Sequence, residues 1–285
     1  MNVFSRSWEV TKSTFSVMLK NKKMFWFAIA DGFLSVLAFA PAIFVGIMLA
    51  FIDGAPGTLF ILSIIFGYFL AYFFTVFFDV AVVYTAKREF SNKHANTGEI
   101  LGFTFSRLKP IIGWTLINGT IGLVLKGAKG KGRNGQRNAG GGIISNLLGA
   151  AWSILTIFVI PNIVYENKGP INAIKDSFAT VKRTWGELLV RWFGLGIAES
   201  LVLIPGLVLF GLIGFLGFEL GITPLLAGAI ILFVIYSIVV AVVFTIANQV
   251  FDTALYEYVK NGKVPANYKE DTLKNAFKSP RNGFI

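Results

Sequence analysis

Six long apolar runs constrain this chain more than any other feature, since crossing about 30 Å of hydrocarbon takes roughly 20 apolar helical residues. They are Met24–Ile52, Thr58–Ala86, Ile111–Leu125, Ile143–Tyr165, Leu188–Phe218 and Thr223–Val259, the third being the shortest. A hydrophobic content of 55% and a mean hydropathy of +0.68 exceed what a soluble core needs in a chain of 285 residues. The first run follows a charged amphipathic segment and is too long for the apolar part of a secretory leader, so no removable leader is expected. Cysteine is absent. Disulfides, thiolate metal sites and cysteine nucleophiles are therefore excluded.

Lysine and arginine set an orientation. Five precede the first run, five lie between runs two and three, five between runs four and five counting Arg191, and six follow run six. With six crossings all four clusters fall on one side, which the positive-inside rule makes cytoplasmic. Both termini are then cytoplasmic, in a multi-pass protein of the cell membrane. The connections Asp53–Gly57 and Glu219–Ile222 hold no Lys or Arg, as outer turns should. The exception is the glycine-rich stretch Lys126–Gly142, whose five basic residues face outward. A re-entrant third run would bring it inside, but would expel both Lys175–Arg183 and the C-terminus, the larger violation.

The chain reads as an internal repeat. Ser7, Trp8, Lys12, Thr14 and Phe15 match Ser177, Phe178, Lys182, Thr184 and Trp185 at equal spacing. Ile29-Ala30-Asp31 resembles Ile197-Ala198-Glu199, and Asp31-Gly32 resembles Asn118-Gly119. Phe78-Asp79-Val80-Ala81 matches Phe251-Asp252-Thr253-Ala254, while Tyr165-Glu166 matches Tyr256-Glu257 and sets Pro161 opposite the two aspartates. The predicted fold is an all-α integral membrane protein, with six transmembrane helices in three repeats of amphipathic surface helix plus helical hairpin. One membrane domain covers 1–285, with units near 1–90, 97–166 and 170–260 and a basic tail at 261–285. Direct repeats of even span number share one orientation and would pack about an axis along the membrane normal.

In the third unit Ile171, Ile174, Phe178, Val181 and Trp185 recur at helical spacing, with Lys175, Asp176, Lys182 and Arg183 elsewhere. That predicts a helix with its aromatic stripe in the acyl boundary and its lysines toward anionic headgroups. Phe4, Trp8, Thr11, Phe15 and Met18 trace a similar stripe, and the middle copy, Glu99–Lys109, is degenerate and ends at Pro110. Lys12, Lys175, Lys182 and Arg183 are the candidate headgroup contacts. The same helices would equally brace the bundle from below.

Ionisable groups within hydrocarbon cost roughly 2.5–3.5 kcal/mol each, so Asp31, Asp79, Glu199 and Asp252 need partners, water or a task. Each lies within reach of basic side chains that snorkel from the inner surface, such as Lys22, Lys23 or Arg191. Two readings follow: an inner polar layer of structural ties, or a polar cavity formed by Asp31, Asp79, Asn118, Glu199 and Asp252. Prolines 41, 161 and 205 interrupt spans one, four and five, and the glycines between 206 and 217 serve close helix packing.

Reaction chemistry is missing. His94 is the only histidine and sits in a polar connection; zinc sites of common kinds are excluded, and no serine has a nucleophile-elbow setting. Neither a metal nor a cofactor is expected, and the chain reads as a non-enzyme. The Lys126–Gly142 stretch lacks the Gly-Lys-Ser/Thr of a phosphate loop and the aromatics of a nucleic-acid platform. It reads as a solvated loop, with no specific nucleic-acid partner.

The run Ala151-Trp152-Ser153, Phe158-Val159-Ile160-Pro161, Glu166, Gly169-Pro170, Ala173-Ile174, Ser177 and Lys182-Arg183-Thr184-Trp185-Gly186 resembles the signature of an uncharacterised prokaryotic family of six-span integral membrane proteins. The repeated unit is more remotely similar to the membrane domain accompanying some glycerophosphodiester phosphodiesterases. The resemblance implies the fold and a cell-membrane location, and carries over no catalytic residue. The Lys126–Gly142 loop departs from the family's pattern. The expected function is a non-enzymatic membrane protein that organises lipid or partner proteins through basic interfacial helices. Its partners would be membrane lipids, with a homo-oligomer or a membrane protein as a further one. The alternative is a transporter or channel for a small cation, a proton or a lipid headgroup.

Overall fold

The computed structural model describes residues 3–52, 57–127, 139–266 and 268, with the side chains of 3–8, 10, 50, 139–143 and 183–194 left out. The described backbone is 88% helix without strands. Its helices are α1 (Val3–Lys20), α2 (Lys23–Ala50), α3 (Gly57–Phe90), α4 (Thr97–Ser106), α5 (Leu108–Gly127), α6 (Ala139–Leu155), α7 (Val159–Glu166), α8 (Pro170–Glu219) and α9 (Thr223–Asn261). Six stretches among them are long and apolar enough to cross a membrane: Lys23–Leu49, Gly57–Phe90, Leu108–Gly127, Ile144–Glu166, Leu195–Glu219 and Thr223–Asn261. At most 39% of each apolar window is buried, so most of this surface waits for hydrocarbon to cover it.

The chain forms two compact units, one from Trp26–Arg183 and one from Met1–Phe25 with Thr184–Ile285. In the first, α3 is the centre, packing against α4, α5 and α7. Its inner stretch is buried on all sides, from Val76 through Phe78 and from Val80 through Ala86. Close approach to α2 depends on a missing side chain: a Cβ on Gly67 would stand 2.3 Å from that of Ala42. After α3 the chain turns through Asn92 at φ 53°, a left-handed conformation that Asn tolerates. Asn96 then caps α4, its Oδ1 accepting from the Glu99 amide at 2.7 Å. Pro110 falls in the first turn of α5, where its missing N–H costs nothing.

Span four is broken. Its two helices, α6 and α7, part at 156–158, because the Pro161 ring clashes with the carbonyl four residues earlier. Ser177 on α8 repairs the gap: its hydroxyl donates to Leu155 O at 2.6 Å and accepts from the Phe158 amide at 3.1 Å. Pro41 and Pro205, by contrast, lie within continuous helices, so of the three expected interruptions only that at Pro161 divides a helix.

In the second unit α1 packs along α9, with Phe15 edge-on to Phe244 at 5.7 Å. Beyond α9, which ends at Gly262 in a left-handed cap (φ 63°), Tyr268 folds back and shares a 2.8 Å hydrogen bond with Thr14 Oγ1. The α8–α9 pair closes on glycine as expected: a Cβ at Gly206 would stand 2.1 Å from the Tyr236 ring, and one at Gly217 would meet the Leu226 backbone nitrogen at 2.7 Å.

One expectation about α8 changes. A separate surface helix ending near Gly186 is replaced by helical backbone running from Pro170 to Glu219, with no interior proline before Pro205.

Candidate functional site

Three of the five expected polar residues gather around α3. Tyr72, Thr75 and Asp79 sit three and four residues apart, hence on one helix face. From α2, Asp31 Oδ1 accepts from Thr75 Oγ1 at 3.0 Å and from Ser35 Oγ, one turn on, at 3.0 Å. The Ser35 hydroxyl also lies 3.1 Å from Ala71 O, so its one proton serves two acceptors. The partners of Asp31 are thus a hydroxyl of its own span and one of the neighbouring span rather than snorkelling lysines. Asp79, half-buried, is an electrostatic neighbour of Tyr72.

From α5, Asn118 uses both ends of its amide. Its oxygen accepts from Trp152 Nε1 at 2.6 Å, and its nitrogen donates to the Tyr72 hydroxyl. Stacking frames this link: Trp152 lies over Trp114 at 6.3 Å and edge-on to Phe178 at 6.1 Å, and Tyr72 stacks on Tyr68 at 6.1 Å. Asn118 therefore joins α3, α5 and α6, and through Trp152 and Phe178 the network reaches α8.

Glu199 and Asp252 belong to the other compact unit. Glu199 is half-buried on α8, and Asp252 is buried on α9 near the Tyr268 hydroxyl. Burial holds the Tyr268 phenol above its ordinary pKa of 10.0, opposed by the hydrogen bond shared with Thr14 and reinforced by Asp252. The five residues are thus divided between the units, three and two.

A second polar cluster, not anticipated from the sequence, lies where α3 meets α4. Glu99 Oε1 accepts from the Tyr84 hydroxyl at 2.9 Å and pairs with Arg88 Nη2 at 3.0 Å. Tyr84 stacks on Phe103 at 3.9 Å, and the Arg107 guanidinium lies 4.7 Å from the Phe103 ring centre. The spacing Tyr84/Arg88 and Glu99/Phe103/Arg107 was the available signal, each set being one helix stripe. Nearby, His94 Nδ1 meets Glu89 Oε1 at 2.9 Å while its side chain stays 80% exposed, a solvated position as expected. Lys87 lies 4.3 Å from the Tyr165 ring centre. Between α7 and α8, Lys168 pairs with Asp176 and Glu166. Hydrogen bonds to Asp176 first and Glu166 second hold its pKa above the ordinary 10.5.

Lys12 on α1 and Lys175 and Lys182 on α8 are exposed, while the Arg183 side chain lies outside the described residues, as does that of Arg191. Among the described side chains at the start of α8 the buried stripe is Ala173, Ser177, Thr180 and Val181, which shares only Val181 with the apolar stripe read from the sequence. It is turned by roughly a quarter of a helix turn at about 100° per residue. Ile171 is left 61% exposed and Ile174 and Phe178 half-buried, on the same side as Lys175 and Lys182. The small residues face inward because Ser177 must reach the break in span four. Residues 128–138 of the glycine-rich loop, and the basic tail beyond 268, lie outside the described residues. No group of three or more His, Cys, Asp or Glu residues fit for a metal is present among the described residues.

Six spans long and apolar enough to cross a membrane mark a multi-pass helical membrane protein. The chain belongs to a family of unknown function, DUF6159, whose model matches residues 58–266. No curated protein and no solved structure matches it.

Proposed function

We propose that this protein is a non-enzymatic scaffold of the cell membrane, both termini cytoplasmic, that holds anionic lipid through basic interfacial helix faces. The observation that carries this reading is the exposed side of α8, where Lys175 and Lys182 stand beside Ile171, Ile174 and Phe178. Apolar side chains next to lysines, with a separate small-residue stripe already packed on protein, suit the boundary between acyl chains and headgroups. Lys12, the counterpart of Lys182 in the first sequence repeat, is exposed likewise, and the matched Thr11 and Val181 are both buried.

The same reading includes three repeated units. Supporting it, Ile29-Ala30-Asp31 and Ile197-Ala198-Glu199 follow the same order, an exposed isoleucine and then two half-buried residues. The inner end of each unit's second span is also a run of buried residues, around Phe78, Ile163 and Phe251. Against a transport cavity stands the engagement of both ends of the Asn118 amide by Tyr72 and Trp152.

Native mass spectrometry of the full chain, carried through graded removal of detergent, tests the proposal. Tightly retained anionic lipid is expected, with affinity reduced about fivefold for each of Lys12, Lys175 and Lys182 changed to Gln, at roughly 1 kcal/mol per surface lysine. Retention indifferent to headgroup charge and to these three changes would sink it.

A further inference from the structure

The α8–α9 hairpin contains an apolar groove of about 330 Å³, within the size range of ligand sites. Leu207, Gly211, Phe215 and Phe218 form its wall on α8, and Ile230 and Phe233 its wall on α9. The four α8 positions fall on one helix face. Glycine makes the slot. The helices close at Gly206 against Tyr236 and at Gly217 against Leu226, but between them a Cβ on Gly211 would meet nothing within 4 Å.

Three observations choose the occupant. The walls are apolar, so ordered water has no partners there. The rim is large: Leu207, Phe215, Phe218 and Ile230 are 54%, 59%, 70% and 56% exposed. Such a rim prevents the close approach that another transmembrane helix needs, and it is continuous with the surface that these spans present to hydrocarbon. Finally, Leu207 to Phe218 rises about 16 Å at 1.5 Å per residue, close to one leaflet of a hydrocarbon core about 30 Å thick. The groove lies beside the turn at Leu220–Ile222.

We propose that this groove is a slot for one phospholipid acyl chain of the leaflet adjoining the α8–α9 turn. It deepens the lipid-holding reading and rests on it for its purpose, while its recognition is independent of charge.

The test uses the full chain in phosphatidylcholine vesicles containing phosphatidylcholine with a diazirine in its acyl chain, adducts being mapped by mass spectrometry after illumination. Adducts should concentrate on Leu207–Phe218 and Ile230–Phe233. They should be largely lost in Gly211→Leu, which fills the slot, and kept in Gly228→Leu, where a side chain also has open space outside the groove. Ile230→Trp fills the slot from the other wall and serves if Gly211→Leu fails to fold. Adducts spread evenly around α8 and α9, adducts undiminished by both filling variants, or protein–protein crosslinks in their place would overturn the proposal. Because phosphatidylcholine carries no net charge, loss of this site leaves lysine-dependent anionic retention untouched, and the converse result leaves the slot standing.

Discussion

The hydroxyl of Ser177 serves two backbone groups that Pro161 leaves without helix partners, and both lie in a dry region where Ser177 and Phe158 are fully buried. Ser177→Ala strands a carbonyl and an amide at once, so the variant should lose about 1–3 kcal/mol for a buried unsatisfied group, read as a lowered unfolding midpoint in detergent. Asn118→Ala removes its bonds to Trp152 and Tyr72. Interhelical bonds in membranes average about 0.6 kcal/mol and reach about 1.7, so a loss near 1 kcal/mol is expected from the same measurement. Lys168 gives a pH signature. Its folded pKa lies above the ordinary 10.5, so its contribution is whole below that value and disappears as pH rises through the folded pKa. The side chain is 31% exposed, which makes the effect small; Lys168→Met should flatten the alkaline end of the stability profile. The sequence marked Asp31, Asp79 and Asn118 as needing partners because charge and amide groups stand out in apolar runs. It did not mark Thr75, Tyr72 or Trp152 as those partners, since hydroxyls and aromatic rings are common in such runs and acquire meaning only across helices.

At the scale of the element, the span positions were legible because hydropathy is a local property, and α3 and α9 begin within a residue of the expected limits. The orientation of α8 about its own axis was not. An apolar stripe at helical spacing marks a face that avoids water, but both a protein core and a bilayer satisfy it. In the first turns of α8 the core took Ala173, Ser177 and Thr180, leaving the larger apolar residues outward. Close contact between α2 and α3 rests on Gly67 facing Ala42, so Gly67→Val should overpack that crossing at a cost of about 1–3 kcal/mol, whereas Gly32→Ala, with open space at its Cβ, should leave stability unharmed. Thermal unfolding of the two variants side by side checks the contrast.

For the whole molecule, the absence of cysteine makes single-cysteine labelling clean. With six crossings, cysteines at His94 and at Lys263 should react with an impermeant maleimide from the same side, and one at Leu220 from the other; labelling of Leu220 together with Lys263 would refute the topology. Composition and the spacing of apolar runs determined by themselves that this is a helical protein with six membrane-capable spans, because a bilayer imposes length and hydropathy on each span separately. Only the tertiary structure decided how each buried polar group is satisfied, which face of α8 is packed, and that Gly211 opens a slot while Gly206 and Gly217 close one. Each of these depends on a partner far along the chain, and hydrogen-bond geometry and steric fit leave no trace in local sequence.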